Sequence, residues 1–310
     1  MPAKVLVSGA SGLIGSALLR ALQSSGYEVT RLVRSAIAGK GDVAWDPARP
    51  LAPESVSAFD AVVHLAGESI VGRWTDAKKR RVLESRVQGT RNLAEAVAAA
   101  PQRPRVFISA SAIGYYGDRG EETLREESSS SNGFLPEVCR QWEAAAQPAS
   151  AAGIRTAQMR FGVVLSASGG ALQKMLPPFR MGVGGNIGSG RQWSSWIDIG
   201  DVVAAILHVI KTDTLRGPVN VVGPNPVRNV EFTKTLAAVL SRPAILPLPA
   251  FAARLVFGQM ADELLLASQR VEPAKLSASG YVFKRPELRA ALEAILEQNG
   301  PRFTLMFLCF

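Results

Sequence analysis

Apolar positions in the first half of the chain fall into short continuous runs such as Val5-Leu6-Val7 and Ala61-Val62-Val63. Between them lie stretches of helical spacing, as in Ile14, Leu18, Ala21 and Leu22. Runs of that length make buried strands, and a 3.6-residue spacing makes the stripe of a helix packed on them. The pattern predicts strands at 4–8, 27–33, 43–45, 60–66, 105–109, 156–164 and 218–222. It predicts helices beginning near Ser11 and spanning 75–100 and 136–152. Residues 121–131, acidic and serine-rich, read as a surface loop. Alternating strands and helices, with strands apolar throughout, argue for an α/β fold: a doubly wound parallel sheet covered on both faces. After Leu165 glycines (182–190) and prolines break the pattern, and helices are expected near 201–211, 230–240, 261–269 and 287–298. Residues 1–165, with 218–222 returning to the sheet, therefore form one domain, and 166–300 a smaller lobe; 301–310 is an apolar tail without a physical account.

The stretch KVLVSGASGLIG places Gly9, Gly12 and Gly15 between the first strand and the first helix. Gly9 permits a sharp turn, Gly12 lets backbone approach a pyrophosphate, and Gly15 lets the helix sit close to the strand. The unpaired N–H groups of the helix start, over Ser11, Gly12, Leu13, Ile14 and Gly15, are suited to phosphate. This spacing in a strand–turn–helix context makes the sheet Rossmann-type and predicts dinucleotide binding. An acidic residue for the ribose of NAD is expected about 20 positions on, but Arg34 stands there and the next acid is Asp42. A guanidinium pairs with a 2′-phosphate, so NADP(H) is expected in preference to NAD(H). The fourth strand ends in Leu65-Ala66-Gly67-Glu68, which should face the same crevice.

Composition narrows the reading. The 310 residues are 47% hydrophobic and 20% charged, enough to bury a large core. The net charge of +9 invites nucleic acid, but the basic run 78–81 is followed by Glu84 and reads as a solvated helix face, so no nucleic-acid partner is expected. Cys139 and Cys309 are far apart, and only His64 and His208 are present, so neither a disulfide framework nor a metal site is expected. The apolar stretch 245–257 is broken by Pro247, Pro249 and Arg254 and is too short to cross a membrane. A cytoplasmic protein is expected.

Five segments in order, GASGLIG, HLAGE, ESRVQGT, SASAIGYYGD and WIDIGDVV, resemble the extended short-chain dehydrogenase/reductase superfamily. More narrowly, LAGE, Arg73-Trp74, GYYGD, LPPFRMGVGGNIGSGRQ and RPAILPLPAFAARLVFG resemble its atypical "epimerase family" proteins. The resemblance implies an NADP(H)-dependent oxidoreductase or epimerase-like enzyme acting on a carbonyl or alcohol, a C-terminal region over about 245–298, and a monomer or a homodimer paired through 75–100 and 136–152. Active members carry a Tyr-x-x-x-Lys pair whose phenol exchanges a proton during hydride transfer. Here those positions are Leu135 and Cys139, and the helper Asn is Arg86. The upstream serine is kept as Ser111, with Ser109 the alternative. Tyr116 or Tyr115 is left to supply a phenol, unless both merely pack. Cys139 is either a small hydrophobe or, beside Arg86, a thiolate. Ser111, Tyr116, Cys139 and Arg86 thus form the candidate catalytic set, with Arg86 also near the cofactor. The arginine that often binds a substrate diphosphate is replaced by Ser194, with Arg191 three residues earlier, so a nucleotide-sugar substrate is not expected. The alternative function is an NADPH-binding sensor or scaffold without turnover.

Overall fold

The computed structural model describes residues 3–34, 39 and 41–297, so the apolar tail 301–310 lies outside the described residues. Seven parallel strands form the central sheet: β1 (Lys4–Ser8), β2 (Glu28–Arg34), β3 (Val43–Trp45), β4 (Ala61–His64), β5 (Val106–Ala112), β7 (Arg155–Phe161) and β11 (Gly217–Val221). Their order is β11-β7-β5-β4-β1-β2-β3. Between them run α1 (Leu13–Ser24), α2 (Asp76–Ala99), α3 (Phe134–Ala145), α4 (Gln147–Ala151) and α6 (Ile199–Lys211).

Strand side chains alternate between two helical layers. Val5, Val7, Val63, Ile108 and Met159 face Leu18 and Leu22 of α1 and Val202 and Ile206 of α6. Leu6, Val62 and Phe107 face Leu93 and Val97 of α2 and Ala149 of α4. Each of these large side chains contributes about 1.5–3 kcal/mol by leaving water. A sheet dry on both sides is why its strands read as unbroken apolar runs.

Four elements depart from the sequence pattern, the two strand changes through contacts distant in sequence. The strand expected over 156–164 is split at Gly162, where a Cβ would lie 2.5 Å from the Ser195 carbonyl oxygen. The chain turns there, and β8 (Val163–Leu165) leaves to pair with β10 (Trp196–Asp198). The loop expected over 121–131 contains β6 (Thr123–Leu124), which pairs with β13 (Arg270–Val271), and it buries Leu124 and Glu126. The helix expected over 261–269 is a π-helical turn, Ala261–Leu265, leading into β13. The long helix after β5 begins at Phe134 and breaks at Ala146 into α3 and α4.

The remaining elements are β9 (Trp193–Ser194), β12 (Val227–Arg228), α5 (Gly170–Arg180), α7 (Asn229–Val239), α8 (Ala250–Phe257), α9 (Ala274–Ala278) and α10 (Leu288–Glu297). Leu172 and Phe179 of α5, Phe232 and Leu236 of α7 and Leu292 of α10 close around Trp196 in a core separate from the sheet's. Among the described residues, the exposed large apolar side chains include Ile245, Leu246, Phe251, Leu255 and Val256, and none lies on α2 or α3.

Candidate active site

At the end of β1 the chain turns at Gly9, which has φ +70°, a conformation nearly confined to glycine. A Cβ at Gly9 would lie 2.6–2.7 Å from backbone atoms of Leu65 and Ala66, so this glycine lets the β1 and β4 loops touch. A Cβ at Gly15 would lie 2.1 Å from the Gly9 carbonyl oxygen, so the helix can sit on the turn only without a side chain there. At Gly12 a Cβ would meet only the Gly9 carbonyl oxygen, at 3.2 Å, and the outer side is open. Gly12 is the N-cap of α1, whose helical residues begin at Leu13. No side chain caps this end and no acid lies in its first turn, so its N–H groups and positive dipole end are left for an anion. A bulky residue would fill the cradle that a pyrophosphate needs. The glycine loop fits a dinucleotide.

Arg34 closes β2 beside Trp45 of β3 and is exposed. Among the described residues no hydrogen bond or ion pair engages its guanidinium, whereas Arg31 is held by both oxygens of Asp42, at 2.8 and 2.6 Å. The acid beyond the glycines is thus already committed to another arginine. Under the loop His64 is wholly buried; its Nδ1 bonds Ser8 Oγ at 2.6 Å and its ring meets Trp45 edge-on. Burial pushes its pKa down to about 4, so it is neutral near pH 7. Among the described residues no group of three His, Cys, Asp or Glu could hold a metal ion.

The β4 loop leads from the nucleotide end toward the candidate chemical end. Glu68 is paired with Lys78 at 2.9 Å, which holds its carboxyl below the ordinary range. Arg86 donates from Nη1 to the carbonyls of Glu68 (2.9 Å) and Val82 (3.1 Å). Its guanidinium stacks over Trp142, with 4.9 Å to the ring centre, and lies 3.4 Å from where a Cβ of Gly67 would be. Burial lowers its pKa, opposed by the neighbouring Cys139 and Glu68.

Cys139 does lie in the field of Arg86, but of the two alternatives for it the small buried hydrophobe, not the thiolate, is the one its surroundings favour. Burial first and Glu143 second push the thiol up to about 12, against the smaller pull of Arg86. It is a protonated, buried thiol. Gly114 lies against it: a Cβ there would be 3.3 Å from Leu135 and 3.9 Å from the Cys139 sulfur.

Tyr116 is likewise closed off. It is fully buried, accepts from Arg160 Nη1 at 2.9 Å, and shares its proton between Asn220 Oδ1 (2.7 Å) and the Arg125 carbonyl (2.9 Å). Burial outweighs Arg160 and raises its pKa to about 12. A phenol with every site used, and held neutral, is a structural element. Tyr115 lies under Arg160, whose guanidinium carbon is 3.5 Å from its ring centre. Ser109 is buried one inward position earlier on β5 and bonds the Ala110 carbonyl.

Ser111, at the end of β5, is in the hydrogen-bond network that the sequence reading missed. Its hydroxyl donates to Glu143 Oε1 at 2.6 Å. Glu143 on α3 is held by Arg160 of β7 through two bonds, Nε to Oε1 and Nη2 to Oε2, both 2.8 Å. Burial opposes the charge on Arg160, and the bonds and ion pair with Glu143 outweigh it and raise its pKa. One signal was available: an arginine inside an otherwise apolar strand requires a buried carboxylate partner. The structure brings Ser111, Glu143, Cys139 and Arg86 around α3 and ties Tyr116 to them only through Arg160.

A cavity of about 320 Å³ is lined by Gly114, Leu135 and Pro136 together with Arg254, Glu263 and Leu266, and none of Ser111, Glu143, Cys139 or Arg86 lines it. Glu263 accepts from the amides of Phe134 (3.2 Å) and Leu135 (2.7 Å), tying the C-terminal region to the start of α3.

Residues 5–223 match the NAD dependent epimerase/dehydratase family, and residues 248–295 match a domain of unknown function, DUF1731. The chain belongs to this epimerase family. It is 42% identical over 292 residues to the Mycobacterium bovis epimerase family protein Mb2239, covering 94% of this chain and 96% of that protein. It is 39% identical over 298 residues to the human epimerase family protein SDR39U1, covering 94% of this chain and 99% of that one. The crystal structure of human SDR39U1 isoform 2 with NADPH superposes with a TM-score of 0.88 at 38% identity, over 95% of this chain and 99% of that one. Ser194, at the position where the resemblance led one to look for a diphosphate-binding arginine, sits in the short ladder of β9 with β12, and the carbonyl of exposed Arg191 takes a bond from Arg228.

Proposed function

We propose that this chain binds NADP(H) and is an oxidoreductase or epimerase-like enzyme acting on an alcohol or carbonyl compound. The observation that carries the reading is the cradle of Gly9, Gly12 and Gly15 at the uncapped start of α1, with the unengaged Arg34 at the end of β2. The N–H groups over Leu13, Ile14 and Gly15 would hold the pyrophosphate, and Arg34 the 2′-phosphate. Leu65, Ala66 and Gly67 would line the same crevice, and Arg86 would place a half-buried positive charge at its floor. The human relative crystallised with NADPH supports the choice of cofactor. When bound, the cofactor supplies or accepts a hydride; Ser111 would orient the reacting group next to it, with Arg86 and Cys139 completing the pocket. Testing needs the native chain with NADPH or NADP⁺ and a metabolite library, followed by absorbance at the reduced-nicotinamide band. Cofactor turnover with at least one compound is expected.

A second reading, a cofactor-binding sensor without turnover, is favoured by a specific set of observations. Leu135 has no proton to exchange, the Cys139 thiol is pushed up to about 12, and Tyr116 has no free site. Tight NADPH binding without turnover across the library would select it.

A further inference from the structure

The bond between Ser111 and Glu143 has a direction, and the direction limits what can bind. A serine hydroxyl has one proton and two lone pairs. Both oxygens of Glu143 are engaged by Arg160, whose guanidinium can only donate, so the 2.6 Å bond runs from Ser111 to Glu143. Bonds to an ionised acceptor are about twice as strong as neutral ones, so this proton is not readily withdrawn. Ser111 is 2% exposed, on the strand end that faces the crevice in doubly wound sheets. Two residues on begins the turn whose Gly114 faces Leu135 and Cys139, with a Cβ there 3.3 and 3.9 Å from them, and lines the cavity. A ligand atom reaching Ser111 is stripped of water and must match what the hydroxyl still offers.

We propose that Glu143 fixes Ser111 as a hydrogen-bond acceptor toward the crevice, so that the group seated against it is a proton-bearing one, an alcohol or an amine, in preference to a carbonyl. A carbonyl oxygen facing the Ser111 lone pairs would meet repulsion and lose its hydrogen bond to water, a mismatch that outweighs any difference in shape. Glu143 acts here through Ser111 and is a positioning residue, set in turn by Arg160. The proposal rests on reading this crevice as the substrate site and sharpens that reading to a class of substrate.

The test uses cyclohexanol and cyclohexanone, a matched alcohol and ketone, titrated into the full chain with saturating NADP⁺ while the amide resonances of Ser111 and Ala112 are followed by NMR. Cyclohexanol is expected to bind about tenfold more tightly than cyclohexanone. Ser111→Ala, which leaves the Glu143–Arg160 pair intact, should bring the ratio close to one. Glu143→Gln, whose neutral amide no longer compels Ser111 to donate, should shift the ratio toward the ketone while NADP⁺ affinity holds. If that variant does not fold, Ser111→Ala decides alone. A ketone bound as tightly as the alcohol by the native chain overturns the proposal, and so does the absence of any shift at Ser111 with either compound. Repeating the titration without cofactor separates the two readings. An alcohol preference that persists in a chain unable to bind NADP⁺ would leave the acceptor assignment standing and remove the cofactor reading.

Discussion

The candidate nucleotide end and the candidate chemical end of the crevice are built by opposite means. The nucleotide end is made by what is missing: no side chain at Gly9, Gly12 or Gly15, no cap on α1, and no partner for Arg34 among the described residues. The chemical end is made by saturation. Ser111, Glu143, Arg160, Tyr116 and Asn220 form one buried network in which nearly every donor and acceptor is engaged. Vacancy prepares a site for a large anionic ligand whose own groups complete it. Saturation prepares a rigid surface whose free valences are few and directed.

The sharpest way to break this contrast is at the glycines. Gly12→Val should lower NADPH affinity by more than a hundredfold, because the side chain would enter the space the phosphates require. Urea unfolding should find it near native stability, since only one backbone oxygen crowds the position. Gly15→Val should instead destabilise the fold, given the 2.1 Å approach to the Gly9 oxygen. A folded Gly12→Val chain that kept its NADPH affinity would mean that the loop serves another purpose.

At the saturated end the corresponding variant is Glu143→Ala, which strands the Arg160 guanidinium in a site where its side chain is only 3% exposed. The expected loss is about 3–5 kcal/mol in chemical denaturation, against about 1 kcal/mol for Ser111→Ala. Equal small losses for both would show that water reaches Arg160 and that the network is not dry.

These two regions were not equally legible in the sequence. The glycine loop follows from local sterics: Gly9 and Gly15 are required by atoms within a few residues or at the neighbouring strand end, and Gly12 keeps the mouth between them open, so the spacing was legible in the sequence. The apolar runs revealed the sheet for the same reason, since burial on both faces removes polar positions. What stayed hidden depends on partners far along the chain. The split at Gly162 needs Ser195, the β6 strand needs β13, and the roles of Glu143 and Arg160 need α3 to cross β5 and β7. Cys139 shows the limit most directly. A thiolate there was conditional on Arg86 lying nearby; Arg86 does, yet the sign of the pKa shift is set by burial and by Glu143, which residue type alone does not disclose.

Under the nucleotide end, His64 gives a pH signature. Its folded pKa of about 4 lies below the ordinary value of 6.5, so the unfolded chain takes up the proton first. Above about pH 6.5 this group should contribute no pH dependence. From there down to about pH 4 it should remove roughly 1.4 kcal/mol of stability per pH unit, about 3 kcal/mol in all, and level off below. A difference in the slope of stability against pH between the native chain and His64→Gln isolates it, and identical slopes would contradict the burial argument.

The smallest effect is expected at Cys139. Cys139→Ala should cost about 1 kcal/mol in thermal or urea unfolding. In the native chain iodoacetamide should modify this thiol orders of magnitude more slowly than an exposed cysteine at pH 7.5, because the thiolate is the reacting form. Rapid, cofactor-sensitive labelling would restore a nucleophilic role.

The central claim is that the vacant end is shaped for the 2′-phosphate of NADP(H), and calorimetric titration of the native chain with NADPH and NADH tests it directly. NADPH should bind more tightly, and Arg34→Ala should remove about 1.5–3 kcal/mol of that preference while leaving NADH affinity nearly unchanged. Equal affinities for the two cofactors in the native chain would contradict the account.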